Sequence, residues 1–148
     1  MSGILQHFKH AAASLLFVTV TGSFSHHARA QDISQTSLTW TVNQLLDQNN
    51  GEKIDYACTF ETSRAQEIVW KQKAGAYVSK FLVQRVDGTW NDVFTDGKVI
   101  YHVTKGDQTG TLTFERIAQG LVIRLGLSQA TGNLLKYQFT VSEVTFTN

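Results

Sequence analysis

An all-β fold is predicted by three features of the chain. Short runs rich in β-branched and aromatic residues recur from residue 36 onward, and turn residues separate them. Several runs alternate apolar and polar residues with period two, as half-buried strands do. No proline occurs anywhere, so no backbone donor is missing from a ladder. Eight or nine strand segments follow one another on short connections. A meander of that length must close on itself or split into two sheets to bury its apolar side. The expected architecture is one antiparallel meander closing as an up-and-down barrel, with a two-sheet β-sandwich as the alternative.

Residues 1–30 read as a secretory signal. Lys9 and neighbouring histidines make a polar start, and residues 11–24 form an apolar stretch shorter than the ~20 residues a bilayer span needs. Ala28-Arg29-Ala30 then gives the small-x-small pattern of a cleavage site, with Gln31 as the new N-terminus. The domain is therefore 31–148, exported to the periplasm or outside a bacterial cell, with no membrane span in its mature form. Four of the five histidines (His7, His10, His26 and His27) depart with the leader.

The elements follow in order. Residues 37–42 (SLTWTV) start the first strand, and Asn49-Asn50-Gly51 turns the chain. Residues 53–62 place Ile54, Tyr56, Cys58 and Phe60 on one side and Asp55, Thr59 and Glu61 on the other. Residues 67–72 carry the strand-favouring Ile68-Val69-Trp70. A helix across 64–74 competes there, because Ser63-Arg64-Ala65-Gln66 resembles a capping box and Gly75 a helix stop. Residues 76–86 form a long strand. Asp87-Gly88 and Asp96-Gly97 read as two-residue hairpin turns that bracket a strand at 89–95, with another at 98–104. Residues 111–117 and 121–127 follow, the latter with Leu121, Ile123, Leu125 and Leu127 on one face. After Thr131-Gly132-Asn133, the segment 134–146 changes its apolar parity near Ser142-Glu143, which predicts a bulge or bend.

This arrangement resembles the barrels of lipocalins. The resemblance is one of architecture only: the first strand shows no Gly-x-Trp of that family, the nearest segment being Leu38-Thr39-Trp40, and no membership follows.

Composition narrows the function classes. Residues 31–148 hold twelve acidic and eleven basic side chains, scattered without a basic cluster, so no nucleic-acid or anionic-membrane surface is expected. One histidine, His102, and one cysteine, Cys58, remain, short of the three or four ligands zinc requires. Asp92 and Asp96 miss the spacing of a calcium loop. No Gly-x-Ser-x-Gly elbow or Gly-rich phosphate loop is present. Carboxylates such as Asp55, Glu61, Asp92 and Glu115 sit on the wet faces of strands. Cys58 is expected to be an inert core residue, and His102 to pair with a polar neighbour. The chain reads as non-enzymatic, with neither a metal nor a cofactor.

The aromatic residues are the remaining signal. Trp40, Trp70, Trp90, Tyr77 and Tyr101 are the candidate binding residues. Pointing inward, they would line a barrel lumen for a small hydrophobic molecule, the leading expectation. Lying on an outer face, they would make a carbohydrate platform, with Trp90 near a hairpin end as its best member. A third expectation is an adaptor domain that pairs through an open sheet edge, with 134–146 as that edge.

Overall fold

Period-two alternation sends one side of nearly every strand into a common interior. The computed structural model describes residues 31–147; the segment read from the sequence as a secretory signal lies outside them. A short 3₁₀ turn at Ile33–Gln35 precedes eight strands: β1 (Leu38–Asp47), β2 (Lys53–Ser63), β3 (Glu67–Gln72), β4 (Tyr77–Asp87), β5 (Gly97–Lys105), β6 (Gln108–Ile117), β7 (Gly120–Ser128) and β8 (Leu134–Phe146). Each pairs antiparallel with the next, and β8 returns to β1, closing the barrel. Closure excludes the sandwich. It also removes the proposed edge, because β8 is paired to β7 on one side and to β1 on the other.

The interior is apolar and largely aromatic. Trp40, Phe60, Phe81, Tyr101, Phe114 and Phe139 are all buried, together with Leu38, Ile68, Leu112, Ile123 and Leu125. Charged and polar groups, among them Glu61, Lys71, Lys80, Arg85, His102 and Arg124, alternate with these inward residues and retain solvent exposure. That polarity, oily inside and charged outside, is the reverse of a lipid-embedded barrel.

The parity change in β8 is a bulge. Register slips between Thr41↔Glu143 and Val42↔Val141, leaving Ser142 without a ladder partner. The Ser142 hydroxyl instead donates to the Thr41 carbonyl at 3.2 Å. The extra residue switches the inward set from Tyr137, Phe139 and Val141 to Val144, as the sequence pattern requires.

One expectation changes and one alternative falls away. The segment 89–95 is not a strand: residues 88–96 form an irregular strap that folds over one end of the barrel. Its buried side chains, Trp90 and Val93, are three residues apart, a spacing no flat strand can point to one side. Asp92 adds local turn chemistry, its Oδ1 accepting from Phe94 N at 2.9 Å. The two Asp-Gly pairs therefore flank a strap and close no two-residue hairpins. At 64–74 the strand expectation holds and the competing helix does not form. Ser63-Arg64-Ala65-Gln66 is a turn closed by Gln66 N donating to Ser63 O at 2.9 Å, with Arg64 and Ala65 both at positive φ.

Gly110 marks a close approach between β6 and β7. A Cβ there would lie 2.0 Å from the Gly126 carbonyl oxygen and 2.9 Å from Leu127 Cα. Gly110→Ala should therefore destabilise the fold by roughly 1–3 kcal/mol through overpacking. Gly126→Ala, whose Cβ meets only Thr111 Oγ1 at 3.7 Å, should change stability by less than about 0.5 kcal/mol. Urea unfolding midpoints of the two variants check the contrast.

Candidate functional site

The five aromatic candidates divide four to one. Trp40, Trp70, Trp90 and Tyr101 are 1%, 8%, 2% and 1% exposed, whereas Tyr77 is 58% exposed on the rim. Trp90 is thus buried despite its place beside a connection, and it cannot serve as a sugar platform in this conformation. Trp40 packs against Trp90 at 6.2 Å and against Phe114 at 4.8 Å between ring centroids. Phe114 continues to Tyr101 at 5.4 Å and to Phe60 at 6.4 Å. Phe60 stacks on Trp70 at 5.5 Å and meets Phe139 edge-on at 4.9 Å. Tyr56 and Tyr137 flank Phe139 at 6.4 and 6.1 Å. This is a column of touching rings through the middle of the barrel, and it occupies the space a lumen ligand would need.

Polar satisfaction along the column is uneven. Trp40 Nε1 donates to Thr62 Oγ1 at 3.3 Å, and Trp90 Nε1 to the Thr95 carbonyl at 3.0 Å. Tyr56 donates its hydroxyl to Gln72 Oε1 at 2.5 Å. Trp70 Nε1 and the Tyr101 hydroxyl are buried with no hydrogen-bond partner. Each orphan costs about 1–3 kcal/mol. Fully burying a large side chain contributes about 1.5–3 kcal/mol, and aromatic contacts add about 0.5–1.5 kcal/mol each. The rings therefore remain inside with a polar atom unsatisfied.

His102 and Cys58 stand on opposite faces of the wall. Tyr101 and Val103 point inward, so His102 points out, where its Nε2 lies 2.7 Å from Asp87 Oδ2. Arg85 Nη2 donates to the same Asp87 oxygen at 3.1 Å. The His102 contact, with help from Arg85, holds the Asp87 carboxyl below its ordinary value. Cys58 points inward and is buried, so the two groups cannot form a nucleophile–base pair. Desolvation pushes the Cys58 thiol up to about 11. Among the described residues no cluster of three or more His, Cys, Asp or Glu is placed to hold a metal ion.

A hollow of different character opens at an interruption in the wall, where Cys58 and Val42 join outward residues in its lining. β3 is only six residues long, and its pairing with β2 ends at Cys58↔Gln72, leaving 53–57 of β2 without a partner on that side. The chain then steps away through Lys73, Ala74 and Gly75, three consecutive residues at positive φ (48°, 54° and 90°). This turn is closed by Ala76 N donating to Lys73 O at 3.1 Å, and the Lys73 ammonium sits 4.9 Å above the Tyr77 ring. Between the turn and β2 lies a groove of about 420 Å³, lined by Thr41, Val42, Ala57, Cys58, Thr59, Lys71, Ala74 and Gly75. Its surface is mainly methyl and methylene, with two threonine hydroxyls and one ammonium. Lys71 is already paired with Glu61 at 2.6 Å. None of the five aromatic candidates lines the groove. The only sequence trace of it was Gly75, which reads equally well as a helix stop.

The raised Cys58 pKa makes a direct prediction. At pH 8 only about one thiol in a thousand is ionised, given a value near 11. An aromatic disulfide reagent should react with the folded protein far more slowly than with the urea-unfolded chain, whose thiol has a pKa near 8.5. Equal rates in the two states would contradict the burial. A second check concerns Asp87: its NMR titration should lie below that of an ordinary aspartate and move up in His102→Phe. Because the folded value is depressed, the stabilising increment is present at neutral pH and is lost as pH falls through that value.

Family models, curated proteins and solved structures were each compared with this chain, and none matches it.

Proposed function

We propose that the chain is an exported, non-enzymatic binding barrel of lipocalin-like type. Its ligand is a small, mainly apolar molecule seated in the groove between β2 and the β3–β4 turn. The observation that carries this reading is the groove itself. Its volume of about 420 Å³ falls within the ~300–1,000 Å³ range of small-molecule sites, and apolar side chains and a few polar groups line it in the usual proportion. The lumen, the first place to seek such a ligand in a small barrel, is occupied by the protein's own rings. The site therefore shifts to the interruption in the wall.

The lining suggests the ligand's charge. Lys71 is the one cation on the groove, and Glu61 neutralises it at 2.6 Å. A ligand carboxylate would have to compete with that carboxylate, so a neutral molecule is favoured, with Thr41 and Thr59 offering hydroxyls to an ether, ester or alcohol.

Ala57 is exposed and lines the groove, so a large residue there fills the hollow without disturbing the core. An apolar fluorophore titrated into the wild type should bind with enhanced emission and be displaced by neutral lipids or terpenoid-sized compounds. Ala57→Trp should weaken fluorophore binding at least tenfold while leaving the thermal midpoint within a few degrees. Ala130→Trp, in the β7–β8 turn, should bind like the wild type. No fluorophore binding, or equal binding by both variants, would overturn the assignment.

A further inference from the structure

The strap at 88–96 has a construction that its plugging role does not explain. It closes the end of the barrel opposite the β3–β4 turn, with Trp90 and Val93 inserted and Phe94 80% exposed at its tip. Its hydrogen bonds are mostly its own: Thr95 N and Thr95 Oγ1 both donate to Asp92 O, at 3.1 and 3.0 Å, and Phe94 N donates to Asp92 Oδ1. Two bonds tie it to the rest of the chain, Ile33 N to Trp90 O at 2.8 Å and Arg116 Nε to Val93 O at 2.6 Å. Both make use of strap carbonyls that water would satisfy equally well if the strap lifted.

The indole of Trp90 follows the same logic. Its N–H donates to Thr95 O within the strap, so the donor leaves with its acceptor and nothing is orphaned on departure. A plug selected only for stability has no need to carry its own partner. Gly88, at φ 91°, and Gly97 bracket the segment. Gly97 also makes the seat, since a Cβ there would fall 1.9 Å from the Trp90 ring. The barrel end left behind is lined by the Trp40 ring and, one ring further, by Phe114 and Tyr101. The Tyr101 hydroxyl, carried on the ring that meets Phe114 edge-on behind Trp40, is buried and unpartnered. An unsatisfied buried hydroxyl in this series of rings is a handle awaiting a partner.

We propose that the strap is an internal stand-in for a ligand: Trp90 occupies a slot that a planar, bicyclic aromatic molecule bearing one hydroxyl enters when the strap lifts about Gly88 and Gly97. The occupant's rings replace the indole against Trp40, and its hydroxyl pairs with Tyr101 Oη. This is a second site, independent of the groove beside Gly75. Because closure competes with binding, apparent affinity is reduced by the fraction of molecules that are shut.

The test uses 2-naphthol and naphthalene with the whole domain, read by calorimetric titration and amide hydrogen exchange. 2-Naphthol should bind the wild type and strip exchange protection from the Ile33 amide, whose acceptor is Trp90 O, while β1–β8 keep theirs. Val93→Ala, which loosens the strap without touching the slot, should bind 2-naphthol several-fold more tightly; a merely structural plug would show only a lower thermal midpoint. Tyr101→Phe should weaken 2-naphthol several-fold and leave naphthalene unchanged. Absence of binding by both wild type and Val93→Ala would overturn the proposal. So would binding that leaves the Ile33 amide protected, or binding that Ala57→Trp abolishes, which would place the molecule in the groove.

Discussion

Closing eight strands on themselves fixes the volume inside, and the rest of the molecule follows from how that volume is filled. An eight-stranded barrel has an interior just wide enough for its own side chains. Here the fillers are rings: Trp40, Phe60, Trp70, Tyr101, Phe114 and Phe139 touch in series from one end towards the other. Rings of this size leave little freedom in register. The wall bends at defined points, at Ser142 in β8, where the β1–β2 pairing skips between Val42 and Gln44, and where the β4–β5 pairing skips between Val83 and Arg85. Each bulge buys curvature with an unpaired backbone group, and at Ser142 the side chain meets the neighbouring carbonyl instead.

The barrel was legible because its alternation is strict where burial is one-sided. β7 shows Leu121, Ile123, Leu125 and Leu127 at period two, and those last three are buried. The shift from Val141 to Val144 announces the bulge in the sequence itself. The strap was not legible, for a definite reason. Asp87-Gly88 and Asp96-Gly97 have the residues of tight hairpins and the spacing of one strand between them. What decides against that strand is Trp90, whose burial depends on a slot made by Trp40 and Gly97 from other parts of the chain. Local turn chemistry could not foresee a tertiary partner fifty residues upstream.

The groove escaped the sequence for a related reason. The sequence's candidate binding residues are the large aromatics, which carry the most surface per residue. Large rings are also the best core fillers, and four of the five candidates went to the core. The hollow arises where side chains are small: Ala57, Ala74 and Gly75 beside a strand that stops after six residues. Lys73 and Ala74 hold left-handed backbone there without being glycine, at about 1–2 kcal/mol each. Such strain persists where the surrounding chain over-determines the geometry, and here the length of β3 and the start of β4 leave the three residues no other path.

The same accounting separates the two ends of the barrel. At the β3–β4 end the hollow is open, so a molecule entering there would displace no side chain of the core. At the strap end the slot is full, and whatever enters must first displace Trp90. The two unsatisfied atoms of the core sort by that difference. Trp70 Nε1 is enclosed among Phe60, Phe139 and the Cys58 side, with rings in contact at 5.5 and 5.4 Å, and its cost is offset by those contacts. Tyr101 makes one aromatic contact, with Phe114, and is the most deeply buried tyrosine of the barrel wall. A phenylalanine at 101 would fill the same space without an orphaned hydroxyl. Packing alone therefore gives no reason for that oxygen, and a hydrogen-bonding occupant of the slot does.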